Sequence, residues 1–235
     1  MQVIIDERVD KNIEKYFLDL GYEIIKVKKS EGIYSEISSH TDIFCVKIND
    51  TVISQFNTFG CNLDNKYRFL TGDNVGDSYP DCAKYNVCIV DNYAIHNLDI
   101  TDNTVLNVLN EKGYKLINVK QGYSRCSILP LGNMACVTSD MGIYNVLVKN
   151  NFDVLYLDSS DLDIKLFDSN GKYSVMSGFI GGCSAILNDT VIFFGDLGKF
   201  KCKDKLLKFL NSKGFKVKDF KNMDVIDYGS CIFLD

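Results

Sequence analysis

Apolar and polar residues alternate along this chain in short runs that come in pairs, each pair joined by a polar two-residue turn, which is the pattern of a β-hairpin. Four hairpins are legible: Ile43 to Ser54 around Asn49-Asp50, Val87 to His96 around Asp91-Asn92, Cys126 to Thr138 around Gly132-Asn133, and Cys183 to Phe194 around Asn188-Asp189. A fifth copy is present as two halves, the run Ser230-Cys231-Ile232-Phe233-Leu234 at one end and Gln2-Val3-Ile4-Ile5 at the other. Pairing these two strands would complete a fifth unit and close a ring. Self-similarity on this scale sets the architecture before any single motif does.

Between the hairpins lie helix-plus-strand modules. Asn12 to Leu20 reads as an amphipathic helix that stops at Gly21 before Tyr22-Glu23-Ile24-Ile25-Lys26-Val27, and Val105 to Lys112 stops at Gly113 before Tyr114 to Val119. Lys205 to Lys213 stops at Gly214 before Phe215-Lys216-Val217, and Met141 to Asn150 precedes Phe152 to Leu157 with Asn151 in the cap position. Glycine or asparagine just past a helix is the expected left-handed cap. A fifth helix has no counterpart; residues 56–80 form instead a polar excursion with Gly60, Gly72, Gly76 and Pro80, expected to act as a loop or lid. The expected fold is therefore α/β, a five-fold pseudosymmetric α/β-propeller occupying residues 1–235 as one domain.

Composition narrows the class. With 235 residues, 46% hydrophobic, the chain can bury a sizeable core. Its net charge of −5, and arginine only at Arg8, Arg68 and Arg125, exclude the electrostatic footprint of a nucleic-acid binder. The lysines between 199 and 218 read as the solvated face of a helix. No apolar run reaches membrane-spanning length, and Asp6, Glu7 and Asp10 argue against a secretory leader, so a cytoplasmic protein is expected. The oligomeric state is open.

Nine cysteines and two histidines invite a metal or disulfide reading, but no pair of cysteines has C-x-x-C spacing. No metal and no cofactor are expected. Cys45, Cys61, Cys88, Cys136 and Cys202 read as buried thiols packing as small hydrophobes. Cys126, Cys183 and Cys231 differ, because each follows a small or glycine-rich approach at the start of a hairpin, where a ring of such units brings its strand starts toward the axis.

The repeat plan resembles the pentein fold, the α/β-propeller of the guanidine-modifying superfamily, which includes arginine deiminases, dimethylarginine hydrolases and amidinotransferases, and whose fold a non-catalytic ribosome anti-association factor shares. His40-Thr41-Asp42-Ile43-Phe44 is similar to the family's His-x-Asp strand, and Arg125-Cys126-Ser127-Ile128-Leu129-Pro130-Leu131 to the segment around the catalytic cysteine of arginine deiminases. Phe179-Ile180-Gly181-Gly182-Cys183 is similar to the Glu-Gly-Gly-Asp segment that holds the guanidinium, with Ile180 and Cys183 in place of both acids. The order of the motifs also departs from that of the family's hydrolases, as in an uncharacterised branch.

The resemblance implies a cysteine-dependent hydrolase or transferase acting on a small guanidino, amidine or amide substrate through a covalent thiol intermediate. Cys126 is the expected nucleophile beside the Arg125 cation, His40 the acid/base, and Asp42 the carboxylate that orients it. A small cationic substrate needs carboxylates; Glu36, Asp140 and Asp196 are the candidates, with Arg125 and Asn86 as further substrate contacts. Asp140 and Asp196 also stand between a strand and a helix, where an N-cap is the ordinary role. His96 reads as a surface residue. The missing acids equally fit a ring-shaped binding protein that has lost the chemistry.

Overall fold

The computed structural model describes residues 1–55 and 66–235. Hairpin and parallel third strand recur along it. β1 (Gln2–Asp6) pairs in parallel with β2 (Glu23–Val27) across the helix α1 (Lys11–Asp19). The one-turn helix α2 (Thr41–Phe44) leads into the hairpin β3 (Cys45–Ile48) and β4 (Thr51–Gln55), which β5 (Arg68–Gly72) joins in parallel. The next unit joins β6 (Cys88–Val90) and β7 (Tyr93–His96) to β8 (Lys115–Asn118) across α3 (Asn103–Glu111). A second one-turn helix, α4 (Ser124–Ser127), leads into β9 (Ile128–Gly132) and β10 (Ala135–Thr138), followed by α5 (Met141–Lys149) and β11 (Asp153–Tyr156).

A sheet that the sequence pattern does not predict comes next, with β12 (Ile164–Phe167) and β13 (Tyr173–Ser177). The regular plan then resumes with β14 (Ser184–Leu187), β15 (Thr190–Phe193), α6 (Lys203–Ser212) and β16 (Lys216–Lys218). Two-residue β17 (Val225–Ile226) returns to β12 in parallel. Finally β18 (Cys231–Leu234) pairs antiparallel with β1, Gln2 opposite Leu234 and Ile5 opposite Cys231, so the two halves of the fifth unit meet as expected. Among the described residues this makes six three-stranded sheets, each an antiparallel pair with a parallel third strand, the β12–β13 sheet differing in that its third strand joins the first strand of the hairpin.

Local chemistry explains these elements. Asn49, Asp91 and Asn188 adopt positive φ at the first turn position of their hairpins, a conformation that asparagine and aspartate tolerate better than other residues with a side chain. The side chains of Asp10, Asp102 and Asp140 cap α1, α3 and α5. Each long helix buries residues three or four apart, Ile13 with Phe17 in α1, Val105 with Val108 and Leu109 in α3, Ile143 with Leu147 in α5 and Leu206 with Leu210 in α6. Such side chains contribute about 1.5–3 kcal/mol apiece when removed from water. The core divides into clusters packed between neighbouring units, one of which joins Ile4, Ile25, Ile43, Val52 and Leu234.

Two expectations change. Residues 56–65 of the supposed excursion lie outside the described residues, but the remainder carries β5, so this unit keeps its third strand. Cys126 and Asp42 sit in single helical turns ahead of their strands, not in the strands themselves, and His40 is the residue that caps the first of these turns. Alternation therefore does not govern which way their side chains point. Among the described residues no helix is long and apolar enough to cross a membrane.

Ile4 is fully buried on the strand that links the two ends of the chain. Ile4→Ala is expected to lower stability in urea by about 2–5 kcal/mol, whereas Val175→Ala, fully exposed on β13, should stay within about 0.5 kcal/mol.

Candidate active site

Five hairpins present five lead-in segments to one another, and these segments build the site. The lead-in to β3 brings His40 and Asp42, that to β6 brings Asn86, that to β9 brings Arg125 and Cys126, that to β14 brings Gly181 and Gly182, and that to β18 brings Asp227 and Gly229. The amides of Gly181 and Gly182 donate to the Cys126 carbonyl at 2.7 and 3.0 Å. The Asn86 side chain clamps the same turn, its Oδ1 accepting from the amides of Arg125 (2.7 Å) and Cys126 (3.1 Å), while its Nδ2 donates to the Asp42 carbonyl (3.2 Å) and the Cys126 Sγ (3.3 Å).

Glycine is required by the closeness of this packing. A Cβ on Gly181 would lie 2.3 Å from the carbonyl oxygens of Arg125 and Ile128, one on Gly182 2.0 Å from Asp227 Oδ1, and one on Gly229 2.5 Å from His40 Cβ. The carbonyls against Gly181 are backbone and cannot retreat without moving a strand, whereas Gly182 and Gly229 make room for the Asp227 and His40 side chains.

Cys126, His40 and Asp227 each place a ligand atom within 4.8 Å of the others, and all three residues are buried. The Cys126 thiol donates to Asp42 Oδ2 at 2.9 Å. Asp227 accepts from the amides of Phe179 (2.8 Å) and Gly229 (2.9 Å). The His40 ring lies between two carboxylates, Nδ1 3.8 Å from Asp227 Oδ1 and Nε2 3.9 Å from Asp6 Oδ2, and neither nitrogen makes a hydrogen bond. Asp6 is occupied by a bidentate pair with Arg8 and by the Ser39 hydroxyl at 2.7 Å. The geometry thus provides a base with both nitrogens open, flanked by acids that can stabilise its charged form.

Burial dominates the electrostatics. It pushes the Cys126 thiol well above its ordinary range, and the carboxylates of Asp42 and Asp227 add to the effect. It also lowers His40, against the pull of Asp227 and Asp6, and raises Asp227 and Asp42. Burial thus favours the neutral form of both the thiol and the imidazole.

These groups close the inner end of a cavity of about 370 Å³ whose walls include Tyr34, Tyr79, Tyr123, Leu166, Met176 and Phe179. Glu36 lies on the same wall; burial works to raise its carboxyl, but the Ser174 and Ser35 hydroxyls and its own backbone outweigh this and hold it below the usual range.

The positions expected from sequence separate into two groups. Cys126, His40, Asp42 and Asn86 are brought together, and Glu36 lines their cavity. Asp42, however, faces the thiol; the carboxylate beside the His40 Nδ1 is Asp227. Arg125 turns away, its guanidinium donating to the carbonyls of Ile128 and Gly181 and to the Ser230 hydroxyl, so the thiol is surrounded by acids where a cation was expected. Asp140 caps α5 and Asp196 caps the short helical turn at Leu197–Lys199, both outside this cavity. His96, expected at the surface, is fully buried and contacts Thr101 Oγ1 (2.7 Å) and the Gly122 carbonyl (2.8 Å); burial lowers its pKa to about 4.

Residues 4–232 match the model of a family of unknown function, DUF6873. The chain belongs to that family. No curated protein matches it. Among solved structures it resembles DDAH from Pseudomonas aeruginosa, a cysteine-to-serine mutant complexed with citrulline, with a TM-score of 0.55 and 8% identity over 95% of this chain and 92% of that one. A dimethylarginine dimethylaminohydrolase adduct gives a TM-score of 0.53 at 8% identity, covering 95% and 92%. SxtG, an amidinotransferase from Microseira wollei in the saxitoxin biosynthetic pathway, gives 0.52 at 12% identity, covering 93% and 89%. At these identities the likeness establishes the shared fold, the one the repeat plan resembled in the sequence.

Asp227 and Asp6 escaped the sequence reading. Asp227 was findable by register, since Asp227-Tyr228-Gly229-Ser230 leads into β18 as His40-Thr41-Asp42 leads toward β3. Asp6, at the end of an apolar strand, carried no signal of this kind. Cys126, His40 and Asp227 are also the one set of His, Cys and acidic side chains, among the described residues, close enough to share a metal ion.

The raised thiol has a measurable consequence. Alkylation of Cys126 by iodoacetamide, followed by peptide mass mapping, should be slow up to the ordinary thiol pKa of about 8.5 and rise only above it. Asp42→Asn removes a negative charge beside Sγ, which favours the thiolate, so the alkylation profile should move to lower pH.

Proposed function

We propose that this protein is a cysteine-dependent hydrolase or transferase of small guanidino or amidine compounds, built on an α/β-propeller closed through β1 and β18. The observation that carries the reading is the Cys126, His40 and Asp227 cluster at the inner end of an aromatic-walled cavity. The fold shared with guanidine-modifying enzymes supports it. The acids missing at Ile180 and Cys183 do not count against it, because Asp227 stands directly against Gly182 and brings a carboxylate from another unit.

In this reading the cationic head of the substrate docks beside Asp227, which lines the cavity, and its charge offsets the field of Asp227 and Asp42 that keeps the thiol protonated. Cys126 passes its proton to His40, within 4.8 Å of it, and the thiolate attacks the planar carbon to form a C–S bond. His40 in its charged form gives a proton to the departing amine as the C–N bond breaks, leaving an amidino-thioether on Cys126. Neutral His40 then takes a proton from water or an acceptor amine, whose oxygen or nitrogen attacks the same carbon, and the thiolate leaves. Asp6 and Asp227 on either side of the ring stabilise the imidazolium that each half-reaction forms.

A non-catalytic binding protein is the second reading. It is favoured by the deep burial of a thiol whose hydrogen is already committed to Asp42.

Chloroacetamidine and chloroacetamide separate the two, with each rate divided by that of the reagent with glutathione. Catalytic use of the site predicts selective modification of Cys126 by the cationic amidine, at least about tenfold faster than by the neutral amide, in keeping with charge pairing in a dry site. Cys126→Ala should remove both the adduct and any release of amine from guanidino compounds, and His40→Ala should remove turnover. Equal normalised rates for the two reagents, or an adduct on another cysteine, would sink the catalytic reading.

A further inference from the structure

The walls of the aromatic cavity limit what a ligand can carry beyond its cationic head. Asp227 stands at the inner end and Glu36 on the side, and among the described residues no lysine or arginine lines the space. Both Glu36 oxygens are already in use, Oε1 accepting from the Ser174 hydroxyl at 2.8 Å and Oε2 from the Ser35 hydroxyl at 2.9 Å. A carboxylate on the ligand's tail would give up its hydration among acids and hydrocarbon, with no cation to receive it. A second ammonium would fare little better, because the one carboxylate on the side wall is taken.

What the rest of the lining offers is apolar surface, from Tyr34, Tyr79, Tyr123, Leu166, Met176 and Phe179. Three of these are open to water, Tyr34 at 49%, Tyr79 at 44% and Met176 at 57% exposure. Large exposed side chains gathered on one cavity mark a binding surface, whereas scattered ones do not. The rings of Tyr79 and Tyr123 lie 5.6 Å apart and make one aromatic side. Leu166 on β12 and Met176 on β13 come from the sheet that departs from the regular plan, and the Ser174–Glu36 bond ties that sheet to the turn at Ser35–Ile37. The volume of about 370 Å³ lies at the lower end of the roughly 300–1,000 Å³ usual for small-molecule pockets. It suits a guanidino head and a tail of several carbons.

We propose that this cavity takes guanidino or amidino compounds with an apolar alkyl or arylalkyl tail and no carboxylate, the head at Asp227 and Cys126 and the tail against Tyr79, Tyr123, Leu166 and Met176. The inference rests on the guanidino reading of the site for the head and adds the chemistry of the tail. Removing the tail from water drives binding in proportion to its apolar area. The two acids supply the discrimination, since they repel a tail of the wrong charge.

Isothermal titration calorimetry on the full chain carrying Cys126→Ala measures binding with the chemistry switched off, and initial rates of the wild type measure turnover. Affinity is expected to rise about two- to fourfold per methylene along ethyl-, butyl- and hexylguanidine. Hexylguanidine should bind at least about tenfold tighter than 4-guanidinobutyrate, L-arginine or 4-aminobutylguanidine. Adding Met176→Arg, which puts a cation on the exposed wall, should shift the ratio of hexylguanidine to 4-guanidinobutyrate affinity by at least about tenfold toward the carboxylate. Circular dichroism establishes that this variant is folded, and the alkyl series decides the matter if it is not. A flat alkyl series, no saturable binding of hexylguanidine at millimolar concentration, or a carboxylate or diamine bound as tightly would overturn the inference, even if the wild type turns over some guanidine. An unchanged ratio in folded Met176→Arg would do the same, because the tail would then lie elsewhere. Tail-dependent binding without turnover by the wild type upholds the ligand class and overturns the catalytic reading alone.

Discussion

The burial of negative charge beside a thiol is the constraint on which the rest of this structure depends. Asp42 and Asp227 are almost entirely removed from water, together with the imidazole of His40 and the sulfur of Cys126. Transferring a carboxylate to such a place is costly unless hydrogen bonds or opposite charge compensate it. Here the compensation is partial. Asp227 has two backbone amides, and Asp42 has the thiol, but Asp42 Oδ1 and both His40 nitrogens have nothing. A chain selected for stability alone would fill this region with hydrocarbon.

Holding it open falls to the apolar clusters between units. Each lead-in is continuous with a strand whose other residues are locked in those clusters, so a shift at the site would drag Ile43, Ile128 or Val225 out of register with its neighbours. Gly181 then lets backbone approach backbone, and Gly182 and Gly229 leave space for the Asp227 and His40 side chains, so that the lead-ins can meet. Local strictness and distant packing thus serve one end, the placement of four polar groups whose own interactions are not sufficient to hold them there.

The acidic surroundings also change how the cysteine should be understood. A cation beside the thiol would keep it ionised at rest, and the neighbouring Arg125 in the sequence suggested that arrangement. The structure instead spends the guanidinium on carbonyls and Ser230, and surrounds Sγ with carboxylates. In the function proposed for this site, a positive ligand offsets that field and couples reactivity to recognition. The aromatic cavity reaches this group from one side, and Asp42, on the other, lines a second cavity together with Arg125.

Much of the architecture was legible in the residues. Turns at Asn49, Asp91 and Asn188, caps at Gly21 and Asn151, and the apolar halves at Ile4 and Ile232 are local or periodic signals, and they predicted the hairpins, the helices and the pairing of β1 with β18. His40, Asp42 and Cys126 could be named from short segments that resemble the family's motifs, and Cys126 also from its place at the start of a hairpin. Only the tertiary structure decided their partners. Whether Asp42 faces the imidazole or the sulfur, whether Arg125 points in or out, and that Asp6 and Asp227 flank His40 depend on single helical turns and on approaches between segments far apart in the chain, such as His40 and Asp227. The β12–β13 sheet was missed for a related reason, since β17, the strand that completes it, is two residues long and leaves no periodic trace. Periodicity records what a segment does with its own neighbours; the direction of a side chain in a buried cluster is set by everything else that must fit there.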